Sequence, residues 1–277
     1  MNAPIIKVVN LKKWFKVRTS FFSSIFFKKQ LFLRAVDGIS FEIWKGQVFG
    51  LVGESGCGKT TTGKLLIRLI DPTDGKIYFA GKDITNLSQK ELKPLRRKMQ
   101  IIFQDPYASL DPRKTISDIV SEPLRIHDLG KRREIEEKVK MTLEDVKLTP
   151  VEDFLDRFPH ELSGGQRQRV ALARALILDP EFIVADEPVS MLDVSIRGEV
   201  LKLMLESIRK RGLSLLYITH DLALARCICN RIAVMYLGKI VEEASTHEIV
   251  HHPLHLSLIH ISEPTRPLYI SYAVFCL

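Results

Sequence analysis

Gly53-Glu54-Ser55-Gly56-Cys57-Gly58-Lys59-Thr60 is the stretch from which the rest of the chain can be read. Four residues separate Gly53 from Gly58, and a lysine and a threonine follow, which is the pattern of a phosphate-binding loop. An apolar run, Val48–Val52, stands directly before it. Helix-forming sequence from Cys57/Gly58 to Ile70 stands behind it, ended by Asp71-Pro72. Strand, tight loop and helix are the context such a loop requires. Glycines allow the backbone to fold so tightly that its N–H groups surround phosphate oxygens. The helix N-terminus adds positive potential. Lys59 is suited to reach the β- and γ-phosphates of a nucleotide, and the Thr60 hydroxyl to ligate Mg²⁺. A glycine-rich structural turn is the weaker reading.

Outward from the loop, short apolar runs alternate with helical ones. Residues 5–9, 39–43, 76–79, 101–103, 182–185 and 213–219 read as further strands, and 166–178 and 196–210 as helices. Apolar strands between helices predict an α/β protein with a mostly parallel sheet covered on both faces. Residues 117–147 are charged and helix-like, with breaks expected at Pro123 and Gly130 and no strand signal. They read as an inserted helical block.

Composition narrows the classes further. The 277 residues are 45% hydrophobic and 27% charged, which fits a folded globular chain. No run of 18 apolar residues free of charge occurs, so no transmembrane helix is expected, and no secretory leader is expected either. Net charge is +8, suited to an anionic partner: nucleotide, nucleic acid or the negative cytoplasmic leaflet. Cys57, Cys227, Cys229 and Cys276 lack metal-site spacing, and Cys227 and Cys229 read as buried structural thiols of a reduced compartment. Residues 18–34 carry five of the 14 phenylalanines among basic residues. A membrane- or partner-touching loop is one reading, and a longer β-hairpin on its own sheet is the favoured one.

Two further stretches carry chemistry. Leu162-Ser163-Gly164-Gly165-Gln166 precedes a helix, and Ser163 with Gln166 forms a capping-box pattern. A cap has no need of two glycines, which weaken a helix, whereas bare N–H groups at a positive helix end suit a γ-phosphate. Phe182-Ile183-Val184-Ala185-Asp186-Glu187-Pro188 delivers two acids at a strand's C-terminal end, where ligands sit in open α/β sheets. Asp186 is suited to hold Mg²⁺ through water, and Glu187 to orient and deprotonate an attacking water.

Together these three stretches resemble the ATP-binding cassette ATPases. The resemblance implies a P-loop core, an N-terminal antiparallel β subdomain and a helical subdomain inserted at about 105–165 within a domain spanning 1–255. It implies that Gly53, Glu54, Ser55, Gly56, Cys57, Gly58, Lys59, Thr60 and Thr61 bind ATP, with Phe15, or Trp14 beside it, stacking on adenine. Gln104 is similar to the family's Q-loop glutamine, His220 to the switch histidine at the γ-phosphate, and Asp193 in Ser190-Met191-Leu192-Asp193 to the D-loop aspartate. Catalysis would then rest on Glu187, His220 and Gln104, and Mg²⁺ on Thr60, Gln104 and Asp186. Ser163, Gly164, Gly165 and Gln166 would act on a second cassette's ATP. Residues 102–112, 158–166, 184–190 and 234–238 are similar to ATPase subunits of oligopeptide/dipeptide importers, a branch shared with nickel importers. That branch implies a second ATPase subunit, two permease subunits and, indirectly, a solute-binding protein. The place implied is the cytoplasmic face of the inner membrane, with no nucleic-acid partner expected. A nucleic-acid-binding cassette is the rival reading, permitted by the net charge. Residues 256–277 read as translated sequencing-library adapter and are set aside from fold reasoning.

Overall fold

The structure, a computed structural model, describes residues 3–17 and 31–251. Residues 18–30 of the phenylalanine-rich segment and the expected adapter residues 256–277 lie outside the described residues.

Among the described residues the strands form two sheets. The first is antiparallel, with β1 (Ile6–Lys16) between β2 (Phe32–Ile43) and β4 (Asp74–Phe79), and β5 (Lys82–Asp83) at its edge. Ile6, Val8 and Leu11 of β1, and Ile39, Phe41 and Ile43 of β2, turn inward and are buried. At Gly75 (φ +89°) a Cβ would stand 2.3 Å from the Asn10 carbonyl oxygen, so the crossing of β4 over β1 needs a residue without one.

The second sheet has six strands in the order β10-β9-β3-β8-β7-β6. These are β3 (Val48–Val52), β6 (Met99–Ile102), β7 (Phe182–Asp186), β8 (Ser214–Thr219), β9 (Arg231–Tyr236) and β10 (Lys239–Ser245). β3, β7 and β8 are buried at every position, as strands covered on both faces must be. The pairs from β6 to β9 are parallel. Only β10 runs antiparallel, with exposed or half-buried side chains at the edge.

Helix α1 (Lys59–Leu66) follows the glycine loop after β3. It is shorter than its sequence suggests because Arg68 adopts a left-handed φ of 54° and closes the turn by donating its N–H to the Leu65 carbonyl. Helix α2 (Gln89–Arg96) opens on a capping box between Ser88 and Glu91. The helical block comprises α3 (Pro106–Ser109), α4 (Ile116–Ile126), α5 (Arg132–Asp145) and α6 (Glu152–Leu155). Gly130 divides α4 from α5, as expected, at φ +91°. Pro123 does not break its helix: α4 runs through it, held by the buried face of Ile116, Ile119, Val120 and Leu124. Tertiary burial outweighs the one backbone hydrogen bond a proline removes.

Helix α7 (Gly164–Leu176) follows the block, and α8 (Val194–Lys210), α9 (Leu222–Ile228) and α10 (Thr246–His251) follow it in chain order among the described residues. α7 and α8 approach closely: a Cβ on Gly165 would lie 2.7 Å from Ile196 Cγ2. Cys229 is buried at the end of α9. Among the described residues no group of three or more His, Cys, Asp or Glu side chains is placed to hold a metal ion. No helix among them is long and apolar enough to cross a membrane.

Candidate functional site

The C-terminal ends of β3 and β7, the loop after β6 and the end of β8 open on one cleft of about 730 Å³. Gly53, Glu54, Ser55, Gly56, Gly58, Lys59, Thr60 and Thr61 form one wall, and Gln104, Glu187 and His220 the other. Gly56 (φ +81°) and Gly58 (φ +112°) take conformations that disfavour side chains, and a Cβ on Gly58 would meet the Ala35 carbonyl at 2.1 Å. These glycines give the loop its shape. Lys59 is buried, and its ammonium donates to the carbonyls of Gly53 (2.7 Å) and Glu54 (2.8 Å). An ammonium has three donors, so it can hold the loop and still meet a phosphate.

Cys57 alone of the loop residues does not line the cleft. Its side chain is buried in the core, where burial pushes the thiol pKa up against the pull of nearby Lys59.

The acids sit as their strand end predicts. Asp186 is buried and accepts a hydrogen bond from the Thr60 hydroxyl at 3.1 Å. Burial raises its pKa, and the Thr60 hydrogen bond opposes that rise. Two oxygen donors so placed fit a hard divalent cation. Glu187 follows at a left-handed φ of 45°, a turn worth roughly 1–2 kcal/mol of strain in a residue with a side chain. That turn, fixed by the Glu187 N–H donating to the Ile218 carbonyl at 3.0 Å, leaves the carboxylate between two partners. Gln104 Nε2 donates to one of its oxygens at 3.1 Å, and His220 Nδ1 lies 3.0 Å from the other. The carboxylate is shielded while His220 is exposed.

Phe15 lines the cleft and Trp14 does not. In the hairpin register Phe15 stands opposite Leu33 and Trp14 opposite Arg34, and neighbours along a strand face opposite ways. Trp14 is engaged elsewhere: its Nε1 donates to Asp37 at 3.2 Å and the Arg34 guanidinium lies 4.7 Å from its ring centre. Leu33 and Ala35 join Phe15 as apolar lining. Sequence reading missed both, since their place depends on the register of β1 on β2.

The Ser163 region lies elsewhere. Ser163 is exposed at the start of α7, where the capping box forms: its hydroxyl accepts from the Gln166 N–H at 3.3 Å, and Gln166 Oε1 accepts from the Ser163 N–H at 2.9 Å. Neither Ser163, Gly164, Gly165 and Gln166 nor exposed Asp193 lines the cleft of their own chain. Both the structural reading of this segment, a cap, and its separation from the phosphate loop are present at once.

Residues 36–190 match the ABC transporter family. The chain belongs to that family. It is 50% identical over 252 residues to the oligopeptide transport ATP-binding protein AppF of Bacillus subtilis, covering 91% of this chain and 75% of that one. Against OppF of the same organism, also an oligopeptide transport ATP-binding protein, it is 51% identical over 240 residues, covering 84% and 78%. The glutathione import ATP-binding protein GsiA of Salmonella paratyphi A is 45% identical over 269 residues, covering 95% of this chain and 42% of GsiA. Among solved structures, a dimeric ATP-binding cassette in a post-hydrolysis state with ADP and Pi superposes with a TM-score of 0.75 at 29% identity. That match covers 87% of this chain and 98% of the other. The α/β architecture with a separate antiparallel sheet is therefore that of an ABC ATPase, and the cassette binds and hydrolyses ATP.

Proposed function

We propose that this cassette powers uptake of oligopeptides or dipeptides, or of a related small solute such as nickel, as one of two ATPase subunits mounted on two permease subunits. Its place is then the cytoplasmic face of the inner membrane, with a solute-binding protein delivering cargo to the permeases. The observation that carries the catalytic part is Glu187, held between Gln104 and His220 across the cleft from Lys59. The relatives named above support peptide as the cargo.

In this reading Lys59 and the loop N–H groups bind the phosphates, and Phe15 stacks on the adenine. Glu187 accepts the proton of the water that attacks the γ-phosphate, while Gln104 and His220 fix its carboxylate. Thr60, Asp186 and Gln104 supply the oxygens for Mg²⁺. When bound, the ion neutralises charge developing on the phosphates. Ser163, Gly164, Gly165 and Gln166 close on the ATP held by the other cassette's loop, with Asp193 lying between the two.

Base stacking on an aromatic is worth roughly 1–3 kcal/mol by alanine substitution. Phe15→Ala is therefore expected to weaken ATP binding about 5- to 150-fold, whereas Trp14→Ala changes it less than about twofold. Equilibrium titration with a fluorescent ATP analogue checks the pair. The reverse ranking would move the stacking role to Trp14.

Purification from detergent-solubilised membranes tests the transport reading. Co-purification with two permease subunits, and peptide-stimulated ATPase activity after reconstitution with the binding protein, are expected. Salt-sensitive nucleic-acid binding without permease subunits would favour the rival.

A further inference from the structure

Two arginines of α7 grip the short helix that follows Gln104. Asp105 caps α3 by accepting from the Tyr107 N–H at 2.8 Å, so α3 begins two residues beyond the glutamine. The Arg167 guanidinium lies 4.0 Å from the centre of the Tyr107 ring. Arg167 is itself buried, donating to the carbonyls of Pro159 and His160 in the turn that leads into Ser163. Two turns further along, Arg174 donates to the Ser109 carbonyl at the end of α3. Tyr107 nevertheless remains 62% exposed, so its ring does not serve the core. The guanidinium thus touches both the segment that positions Ser163 and the segment that positions Gln104.

We propose that Arg167, through the face of Tyr107, is a positioning residue that makes the Gln104 segment and the start of α7 move as one body. The inference rests on the ATPase reading given above. Gln104 reaches Glu187 of this chain's own cleft, while Ser163 faces the other cassette. Through Arg167, closure of Ser163 on the neighbouring ATP holds Gln104 where its Nε2 already donates to Glu187 at 3.1 Å, so each cleft steadies the other. Arg167 does not line the cleft of its own chain, and its effect appears in turnover and not in ATP affinity. Planarity matters as well as charge, because a guanidinium stacks on a ring while its edge N–H groups hold carbonyls, which an ammonium cannot do at once.

The test is a double-mutant cycle in the assembled transporter, with Tyr107→Leu, Arg167→Met and the pair, plus Tyr107→Phe. Steady-state kcat and KM for ATP, melting temperature and permease content are measured for each. A wild-type complex whose turnover depends on Glu187 first establishes the ATPase reading independently. A misplaced group costs up to about 100-fold, and a partial loss of about tenfold in kcat is expected for Tyr107→Leu and Arg167→Met alike, with KM unchanged. The double variant is expected to be no slower than either single one, and Tyr107→Phe, which keeps the ring, to retain wild-type turnover. If Arg167→Met fails to fold, Tyr107→Leu against Tyr107→Phe decides alone. Multiplying losses, unchanged kcat with a lowered melting temperature, or a Phe variant as slow as the Leu variant would overturn the proposal. Loss of permease subunits from the Tyr107→Leu complex would also overturn it, by making the ring a docking contact.

Discussion

Glu187→Gln in the assembled transporter is expected to lower ATP hydrolysis about 10²- to 10⁴-fold, the usual worth of a positioned general base. ATP affinity is expected to change little. The reason lies in what the substitution keeps. An amide has the size of the carboxylate and can still accept from Gln104 Nε2, 3.1 Å away, while its NH₂ faces the imidazole of His220, whose Nδ1 lies at 3.0 Å. Proton-accepting ability is what is lost. Strained backbone at φ 45° is retained in both forms, so a change in fold does not account for the loss. Phosphate release measured with the other cassette's site disabled checks the result. Near-normal turnover under that condition would make the place of Glu187 at the end of β7 structural.

Lys59→Ala is expected to fail at an earlier stage. A hydrogen bond to a charged group is worth roughly 1.5–3 kcal/mol, so the loss of an ammonium–phosphate contact should weaken ATP binding about 10- to 150-fold. The ammonium also ties the Gly53 and Glu54 carbonyls at 2.7 and 2.8 Å. Its removal therefore loosens the loop that presents the N–H groups, and the upper part of that range is the expected outcome. Equilibrium nucleotide binding separates this defect from that of Glu187→Gln: affinity falls in one variant and turnover in the other. Unchanged affinity in Lys59→Ala would remove the lysine from the phosphate site.

The parts of this molecule legible in the sequence are those where local chemistry and tertiary position agree. The strand–loop–helix around Lys59 is of that kind, since the glycines, the lysine and the following hydroxyls have one arrangement that satisfies them. Strands β3, β7 and β8 are legible for a related reason: burial on both faces leaves an unbroken apolar run. Two strands extend beyond the apolar runs that announce them, residues 5–9 and 39–43. Residues 10–16 of β1 carry lysines and half-exposed aromatics, and their strand character comes from pairing with β2. β10 escaped in the same way, as a charged strand paired with β9 at the sheet edge among the described residues. Pro123 misled because a proline signals a break locally, while four buried apolar residues hold α4 together. In the site, Gln104, Glu187 and His220 were each nameable, but their meeting at one carboxylate is a property of three strand ends. Leu33 and Ala35 gave no signal of their own. Ser163 and Gln166 illustrate a segment open to two readings, since the cap is made and the helix start does not line its own cleft.

That separation makes the central claim testable: each ATP is held by the loop of one cassette and completed by the Ser163 region of another. Ser163→Arg places a long cation where Ser163, Gly164 and Gly165 would approach the neighbouring ATP. The cap it removes is worth about 1 kcal/mol, too little to unfold the cassette. The measurement is nucleotide binding at this chain's own Lys59, made beside ATP hydrolysis at the other cassette's loop in the same complex. The account predicts that hydrolysis there is abolished while binding at Lys59 stays within about twofold of wild type. Loss of this chain's own ATP binding in Ser163→Arg would contradict it.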